Sequence, residues 1–514
     1  MSTMRAGVGS VPEIVRDRVF FVLLSAALLL RIPLLTRPLT GSHTDSWRQT
    51  DTASIARHFY RGGYQLFHPQ VYWGGSGPAY TETEFQLHPF VTALLYGAFG
   101  EQVWLGRLVS LTFAMLGLCA FYYLARRVAG ERVALFGLGF LALSPLHVRY
   151  STAFMPEATV LCFYMVALYL FQRWLDEQRS RDLWLAGGAT ALAILVKPTS
   201  IQVGLVFMLL LLFRERLRFL SRLEIWGFAL VSLAPGVAWY WHARNLYLTY
   251  GNTFGILSGG DSKLGDPSYW LSPHFYFAVV KLEAKWVFAW SGALLFAWGA
   301  YVCFRKKISW LPLFGALTAA IYYMAVARYA SEVWGIQYHV FFLPFAALVV
   351  GIGLAEISWS LSPRAAVAAI AVFVAAAGSG KLYVELFQPT GEVLATCGRM
   401  VAERTPEGSL VVVSTTSEAD AHGTPNNYQE PQVFFFADRH GWSLPSDRHT
   451  PEAVEQLRLE GASYFVAYDA SLMRARPRLG AYLESNAEQI GEGIESHCAI
   501  YRLRARDRLS LAGP

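Results

Sequence analysis

Long apolar segments separated by short polar segments make up most of the chain. A helix needs about 20 apolar residues to cross the hydrocarbon core of a bilayer. Segments that meet this rule run over 19–36, 103–125, 133–148, 153–173, 183–198, 200–213, 224–242, 285–304, 309–328, 336–357 and 365–380. The pattern predicts a polytopic all-α membrane domain with about eleven transmembrane helices. No small-residue cleavage site follows the first segment, which we interpret as a retained signal anchor.

The pattern changes after about residue 385. "GSLVVVST", "ASYFVAYDA" and "CAIYRLR" are typical of buried strands, and "TPEAVEQLRLEG" predicts a helix capped by Thr450 that ends before Gly461. We therefore predict a membrane domain over 1–384 and a small α/β domain over 385–514. The sequence leaves open whether this second domain binds substrate or covers the membrane domain. Cys397 and Cys498 can form a disulfide there if the domain lies outside the cytoplasm.

Basic residues occur in alternate short loops, which predicts the orientation in the membrane. They are Arg16 and Arg18; Arg126, Arg127 and Arg132; Arg173, Arg179 and Arg181; Arg214, Arg216, Arg218 and Arg222; Arg305, Lys306 and Lys307; and Arg364. By the positive-inside rule these loops face the cytoplasm, so the first long loop and the α/β domain face outside. The basic residues form no single patch, so the net charge of +6 does not indicate nucleic-acid binding.

The composition agrees with a membrane protein. The chain is 54% hydrophobic and 16% charged, whereas soluble domains carry about a quarter of charged residues. The 16 Trp, 26 Tyr and 34 Phe residues suit a protein with many turns at a bilayer interface.

The first external loop, about residues 37–102, is too long to be a plain connection. Its stretch "GSHTDSWRQTDTASIARHFYRGG" predicts an amphipathic helix that Asp51-Thr52 would cap, with Ile55 and Phe59 on its apolar side. A second interfacial helix is expected near His88-Pro89. Asp51 is equally well interpreted as a helix cap or as a catalytic carboxylate.

Unusual polar residues collect on the external face. Asp45, Asp51 and Glu84 supply carboxylates, and the external turns add cations and a histidine, namely Arg48, Arg149, Lys197, Arg244 and His339. A carboxylate can act as a general base, and clustered cations can hold a phosphate. The pattern indicates a site for a lipid-linked phosphate at the membrane boundary.

The order and spacing of these residues resemble those of the GT-C glycosyltransferases. The chain looks like a member of the branch that includes the bacterial dolichyl-phosphate-mannose–protein mannosyltransferase homologues and the lipid A aminoarabinose transferase. The matching features are Asp45 with Arg48 three residues on, Glu84 before His88-Pro89, the segment 106–157, Lys197-Pro198 and "YHVFFLP". The resemblance covers roughly residues 15–360.

This resemblance implies a hexosyl- or pentosyltransferase of the plasma (inner) membrane with an extracytoplasmic active site. It would move a sugar, with inversion, from a polyprenyl-phosphate donor among the membrane lipids to a hydroxyl of a protein, lipid or glycan acceptor. Asp45 would be the base, and the cations and His339 would bind the donor phosphate. Glu84 would be a catalytic residue or the ligand of a divalent cation, and no other cofactor is indicated.

One position departs from the family pattern, and one alternative function has to be weighed. Aminoarabinose transferases have a lysine after the motif glutamate, whereas this chain has Phe85. The alternative is a transporter or flippase of a lipid-linked saccharide, which would predict repeated halves or ionisable residues near the midplane. The sequence shows neither feature, so it favours the transferase.

Overall fold

The structure is a computed structural model of the 514-residue chain. It describes residues 13–39, 45–259, 267–388, 391–419, 425–468, 476–493 and 498–504. Two compact units are present. The first comprises Met1–Arg37, Gln102–Trp239 and Lys263–Gln388, and the second comprises Pro38–Glu101, Tyr240–Ser262 and Pro389–Pro514.

Helices dominate the described residues. The α-helices are α1 Glu13–Arg31, α2 Asp45–Arg61, α3 Leu87–Phe99, α4 Val103–Ala129, α5 Glu131–Leu143, α6 Pro145–Tyr150, α7 Glu157–Glu177, α8 Ser180–Val196, α9 Val203–Glu215, α10 Leu223–Tyr250, α11 Pro267–Trp270, α12 Pro273–Leu282, α13 Ser291–Lys306, α14 Leu311–Ala325, α15 Ala327–Ala330, α16 Leu343–Glu356, α17 Pro363–Ala377, α18 Tyr383–Phe387, α19 Val393–Arg404, α20 Pro431–Ala437, α21 Pro451–Leu459 and α22 Pro477–Asn486. The strands are β1 Thr81–Glu82, β2 Asn252–Thr253, β3 Leu410–Thr415, β4 His440–Pro445, β5 Tyr464–Ala467, β6 Ala487–Gly493 and β7 Cys498–Leu503.

Every apolar segment singled out in the sequence contains a helix. Within the described residues, five helices are long and apolar enough to cross a membrane, and the pair Pro273–Val287 and Ser291–Lys306, bent by 103°, makes up to six. The count of eleven spans stays a prediction. Between α8 and α9 the chain turns through a 3-10 segment, Pro198–Gln202, because Pro198 has no N–H to continue the helical ladder.

Small residues let the helices of the first unit pack closely. Helix α16 packs against α5 and α13, and a Cβ on Gly351 would lie 2.5 Å from the carbonyl oxygen of Val133. A Cβ on Gly299 would lie 2.0 Å from the carbonyl oxygen of Val349. Larger side chains would force these helices apart, as at the glycine-mediated crossings common in membrane bundles.

Arg31 is fully buried at the end of α1 and has a structural explanation there. Its guanidinium donates to the hydroxyl of Ser151 at 2.6 Å and to the carbonyl oxygens of Ala27 and Ala142, each at 2.8 Å. A ring nitrogen of His147 lies 2.9 Å away. These contacts join α1 to the α5–α6 corner and replace the water that the buried charge has lost.

The second unit contains a five-stranded sheet of order β4-β3-β5-β7-β6. Strands β4, β3 and β5 are parallel, and β7 is antiparallel to β5 and β6. Thr450 caps α21 through its hydroxyl, which accepts from the backbone N–H of Ala453 at 3.2 Å. The strands and the cap expected from the sequence are confirmed.

The edge of this sheet at β4 is covered by the first loop. The N–H of Gly441 donates to the carbonyl of Tyr72 at 3.1 Å, and the N–H of Gly75 donates to the carbonyl of Gly441 at 2.7 Å. An uncovered edge strand exposes unpaired backbone groups and invites aggregation. The contact therefore protects the sheet and fixes the course of the loop.

Helix α2 differs from the prediction at its start. It begins at Asp45, so Asp51 lies inside the helix and cannot be its cap. Two arginines of α2 bind other parts of the second unit. Arg57 donates to the carbonyl of Phe435 at 2.8 Å, and Arg61 binds both carboxylate oxygens of Asp438, at 2.9 and 2.8 Å.

Cys397 of α19 and Cys498 of β7 form a disulfide, as the sequence allowed, across 101 residues of sequence. Replacing both residues with Ala should lower the free energy of unfolding by about 2–5 kcal/mol, because the bond restricts a long loop in the unfolded chain. Thermal unfolding of the purified protein, with and without reductant, measures this loss. The control is Cys119→Ala, which removes a thiol outside the disulfide; an equal loss there would contradict the assignment.

Candidate active site

Asp45, Arg48 and Asp51 follow one another at intervals of three residues along α2. Residues three apart on a helix are neighbours on its surface. Asp45 is the first residue of the helix and is 6% exposed, whereas Asp51 is fully buried. Carboxylates and a guanidinium therefore alternate along one line of the helix.

Arg48 is bound to Glu84. A guanidinium nitrogen of Arg48 donates to Oε2 of Glu84 at 2.6 Å, and the hydroxyl of Thr83 donates to the same oxygen at 3.0 Å. The guanidinium also lies over the ring of Phe254, 4.7 Å from its centroid. This ion pair connects α2 to the segment before α3 and holds both charged groups in fixed positions.

Glu84 was predicted as a catalytic residue or a metal ligand. Among the described residues, no three His, Cys, Asp or Glu side chains converge as a metal-binding group. The carboxylate of Glu84 faces Arg48 and Thr83 instead. Oε2 of Glu84 is therefore engaged by these two side chains.

Asp51 occupies an apolar site. Its Oδ1 accepts from the indole N–H of Trp73 at 3.0 Å, while its buried Oδ2 has no hydrogen-bond partner among the described residues. Burial raises the pKa of Asp51 to about 7. The negative charge of Glu430 also raises this pKa, whereas the Trp73 hydrogen bond and the positive charge of Arg48 lower it. The carboxyl is therefore neutral in much of the population at neutral pH.

Lys197 lies in the first unit and is paired with Glu157. Its ammonium nitrogen is 2.7 Å from Oε1 of Glu157 and 5.0 Å from the ring centroid of Tyr338. Lys197 is 6% exposed and Glu157 is 2% exposed. The second oxygen of Glu157 is buried and has no hydrogen-bond partner among the described residues.

His339 is held on both sides of its ring. Nδ1 lies 2.7 Å from Oε1 of Glu283, and Nε2 lies 3.0 Å from the carbonyl oxygen of Ala330. The side chain is fully buried. With both ring nitrogens engaged, the arrangement favours a structural role over phosphate binding.

Arg149 belongs to a group of cations that the sequence did not bring together. Its guanidinium lies 3.7 Å from Glu385 and 4.9 Å from the ring centroid of Trp286. We call this group the cationic cluster, and it consists of Arg37, Arg107, Arg149, Lys285 and Lys381 around Glu385. Arg37 lies 3.7 Å from Glu385, Lys381 lies 4.3 Å from the ring centroid of Trp286, and Arg107 and Lys285 interact electrostatically with other members.

The cationic cluster suits an anion, because it brings together five cations, and Glu385 lies within ion-pair distance of two of them, Arg37 and Arg149. Its members lie at the ends of different helices, so their meeting depends on tertiary packing. The only feature of the sequence that pointed to this cluster was a basic residue near the end of several apolar segments. Snorkelling explains such a residue equally well.

The structure divides the predicted site residues between the two units. Asp45, Arg48, Asp51, Glu84 and Arg244 belong to the second unit, and Arg149, Lys197 and His339 belong to the first. Arg48 and Glu84 are in direct contact, and Asp51 interacts electrostatically with Arg48. Arg244 is exposed on α10. In the first unit, the three predicted residues have three different carboxylate partners.

Comparison with known proteins identifies the fold. A sequence model of the family described as dolichyl-phosphate-mannose-protein mannosyltransferase matches residues 86–241. The apo crystal structure of ArnT from Cupriavidus metallidurans aligns with a TM-score of 0.68 at 17% identity, covering 97% of this chain and 100% of that chain. The chain has the GT-C glycosyltransferase fold. The resemblance expected from the sequence is confirmed.

Two further structures share the GT-C fold. ArnT from Cupriavidus metallidurans bound to undecaprenyl phosphate aligns with a TM-score of 0.65 at 16% identity, over 96% of this chain and 99% of that chain. The Archaeoglobus fulgidus oligosaccharyltransferase aligns with a TM-score of 0.59 at 12% identity, over 92% of this chain and 71% of that chain. A comparison with the sequences of curated proteins found no match.

Asp51→Asn should stabilise this GT-C protein increasingly as the pH rises from about 5 to about 8. In the unfolded chain, the Asp51 carboxyl is ionised throughout this pH range. In the folded protein its pKa is raised to about 7, so it still binds a proton in the lower part of the range. The native state then binds more protons than the unfolded state, so the wild type loses stability as the pH rises. Thermal unfolding of both proteins across the range measures the difference.

The control is Glu407→Gln, which neutralises an exposed carboxylate of the second unit. Its effect on the melting temperature should change little with pH. A difference between wild type and Asp51→Asn that stays constant with pH would show that the Asp51 carboxyl does not titrate in this range.

Proposed function

We propose that this GT-C protein is a membrane glycosyltransferase that moves a sugar from a polyprenyl-phosphate donor to an extracytoplasmic acceptor hydroxyl with inversion. The observation that carries the proposal is the fold shared with ArnT over 97% of the chain. ArnT is the lipid A aminoarabinose transferase, and one of its structures is bound to undecaprenyl phosphate. The apolar helices of this chain support a site that such a lipid reaches from the bilayer.

The reaction is a single displacement. The acceptor oxygen forms a bond to the anomeric carbon, the bond from that carbon to the phosphate oxygen breaks, and polyprenyl phosphate leaves. Phosphate is already a competent leaving group, so the protein has to accept the hydroxyl proton and stabilise the charge on the leaving group. One displacement inverts the anomeric configuration.

We assign the base to Asp45. It retains exposed surface at the start of α2, whereas Asp51 is fully buried and an acceptor hydroxyl cannot reach it in this conformation. Asp51, with its pKa raised to about 7 and its contact to Trp73, is better suited to hold the neighbouring loop. Glu84 keeps Arg48 in position.

We assign binding of the donor phosphate to Arg48, Arg149, Lys197 and Arg244, with the cationic cluster around Arg149. Preorganised cations stabilise the charge that grows on a leaving phosphate. His339 is assigned instead to fixing Glu283, since both of its ring nitrogens are engaged.

We further propose that the active site and the α/β domain lie outside the cytoplasm in the plasma (inner) membrane. The alternation of basic loops supports this orientation. The donor sugar is hexosyl or pentosyl. Because Phe85 stands where aminoarabinose transferases have a lysine, aminoarabinose itself is not the sugar we propose.

Asp45→Asn should reduce transfer by about 10²–10⁴-fold, the usual contribution of a general base. Asn keeps the size of the side chain and one acceptor oxygen but takes no proton at neutral pH. Transfer is measured with purified protein and a radiolabelled polyprenyl-phosphate sugar, which a transporter would not consume. Asp51→Asn is the matched comparison and should lose much less activity.

The reverse result, with Asp51→Asn inactive and Asp45→Asn active, would exchange the two roles. Normal turnover by both variants would move the base elsewhere, and Glu84 would be tested next. Correct insertion of each variant is checked by its elution as a folded, monodisperse protein.

Lys197 can be tested for phosphate binding separately from packing. Lys197→Ala alone would leave Glu157 buried and unpaired, at a cost of about 3–5 kcal/mol. The double variant Lys197→Met with Glu157→Gln removes both charges together and should keep nearly the wild-type melting temperature. It should still lose donor use on the order of 10²-fold, because the cation is gone.

The control is Lys306→Met with Glu356→Gln, which removes a more exposed pair of the same unit whose atoms lie 2.8 Å apart. It should change neither stability nor donor use. Full activity in the Lys197 double variant would limit Lys197 to a structural role.

A further inference from the structure

The second unit contains a cavity of about 200 Å³ that the predicted site residues do not line. Three separate stretches of the chain form it: the first loop, the residues after α10, and the sheet domain. Its lining includes the side chains of Trp73, Asn252, Tyr428, Gln429, Trp442 and Arg448.

Two glycines allow these stretches to meet. A Cβ on Gly74 would lie 2.7 Å from the side-chain nitrogen of Asn252, and a Cβ on Gly75 would lie 3.1 Å from the indole nitrogen of Trp442. The loop therefore passes close enough to β4 to bring two indole side chains to the same cavity. The backbone pairing of this loop with Gly441 fixes that approach.

The lining chemistry fits a saccharide. Flat indole and phenol rings can stack on the C–H faces of a sugar ring, and they bring large contact area with few rotatable bonds. Carboxamides both donate to and accept from hydroxyl groups. Arg448, exposed at the cavity, adds cationic donors that also suit an acidic sugar. An acyl chain would find too many polar groups here.

The size of the cavity suits one sugar unit, and one of its lining side chains reaches helix α2. About 200 Å³ lies below the usual 300–1,000 Å³ of pockets for drug-sized ligands, so a single small group fits. Trp73 lines the cavity and donates to Asp51 at 3.0 Å. The Trp73 side chain thus connects the cavity to Asp51, which lies on the same helix as Asp45.

We propose that this cavity binds a saccharide unit of the acceptor, so that the acceptor is a glycan or glycolipid and not an unglycosylated peptide. The assignment of the bound saccharide to the acceptor rests on the proposed transferase function. Stacking on Trp442 and Tyr428 and hydrogen bonding by Arg448 would hold the unit while its neighbouring hydroxyl meets the base.

Binding can be measured without transfer. Saturation-transfer NMR on the full chain in detergent is recorded with the methyl glycosides of glucose, galactose, N-acetylglucosamine and glucuronic acid, and with a serine-rich peptide. At least one glycoside should bind, and Tyr428→Ala and Arg448→Gln should each weaken it at least about tenfold. Arg399→Gln is the control, because Arg399 is an exposed arginine of the same unit, paired with Glu392 and outside the cavity.

Each outcome decides the proposal. Absence of glycoside binding, binding that the cavity variants leave unchanged, or binding of the peptide alone would overturn it. Trp442→Phe keeps a ring in the cavity and tests the indole if a larger truncation fails to fold. Consumption of the donor sugar by the wild type is measured in parallel. If no donor sugar is consumed while glycoside binding still depends on Tyr428, the proposed transferase function is wrong and the saccharide site is supported.

Discussion

The burial of charged side chains in apolar surroundings governs how the candidate site is built. An ion removed from water must find an opposite charge or several hydrogen bonds, or its burial costs several kcal/mol. Lys197 and Glu157 meet this requirement at 2.7 Å, and Arg48 and Glu84 meet it at 2.6 Å. Arg31 meets it with hydrogen bonds alone. The polar residues are therefore fixed by internal partners before any substrate arrives.

This internal pairing has a consequence for anion binding. A phosphate entering the cationic cluster competes with Glu385 for Arg37 and Arg149, both 3.7 Å from that carboxylate. These long contacts are weaker than the short pair at Lys197, so a phosphate with more charge and more acceptor oxygens can displace them at lower cost.

The sequence predicted elements whose signal is local. Apolar length located the helices, the run "LVVVST" located β3, and Thr450 marked the start of α21. It misplaced the start of α2, because Asp51-Thr52 has the composition of a cap while the helix had already begun at Asp45. It could not place Glu385 beside Arg149 or Trp73 beside Asp51, since the two members of each pair are distant in the sequence. Partners of buried charges are a tertiary property that spacing does not encode.

The contacts of α2 bear on the question the sequence left open about the α/β domain. Trp47 donates to the carbonyl of Gln429, Arg57 donates to the carbonyl of Phe435, and Arg61 binds Asp438. These three residues extend over most of the length of α2 and attach it to the segment around α20. A catalytic carboxylate works only if its helix is held within a fraction of an ångström of the productive position. The α/β domain therefore braces the helix that carries Asp45, and its edge strand supplies Trp442 to the cavity.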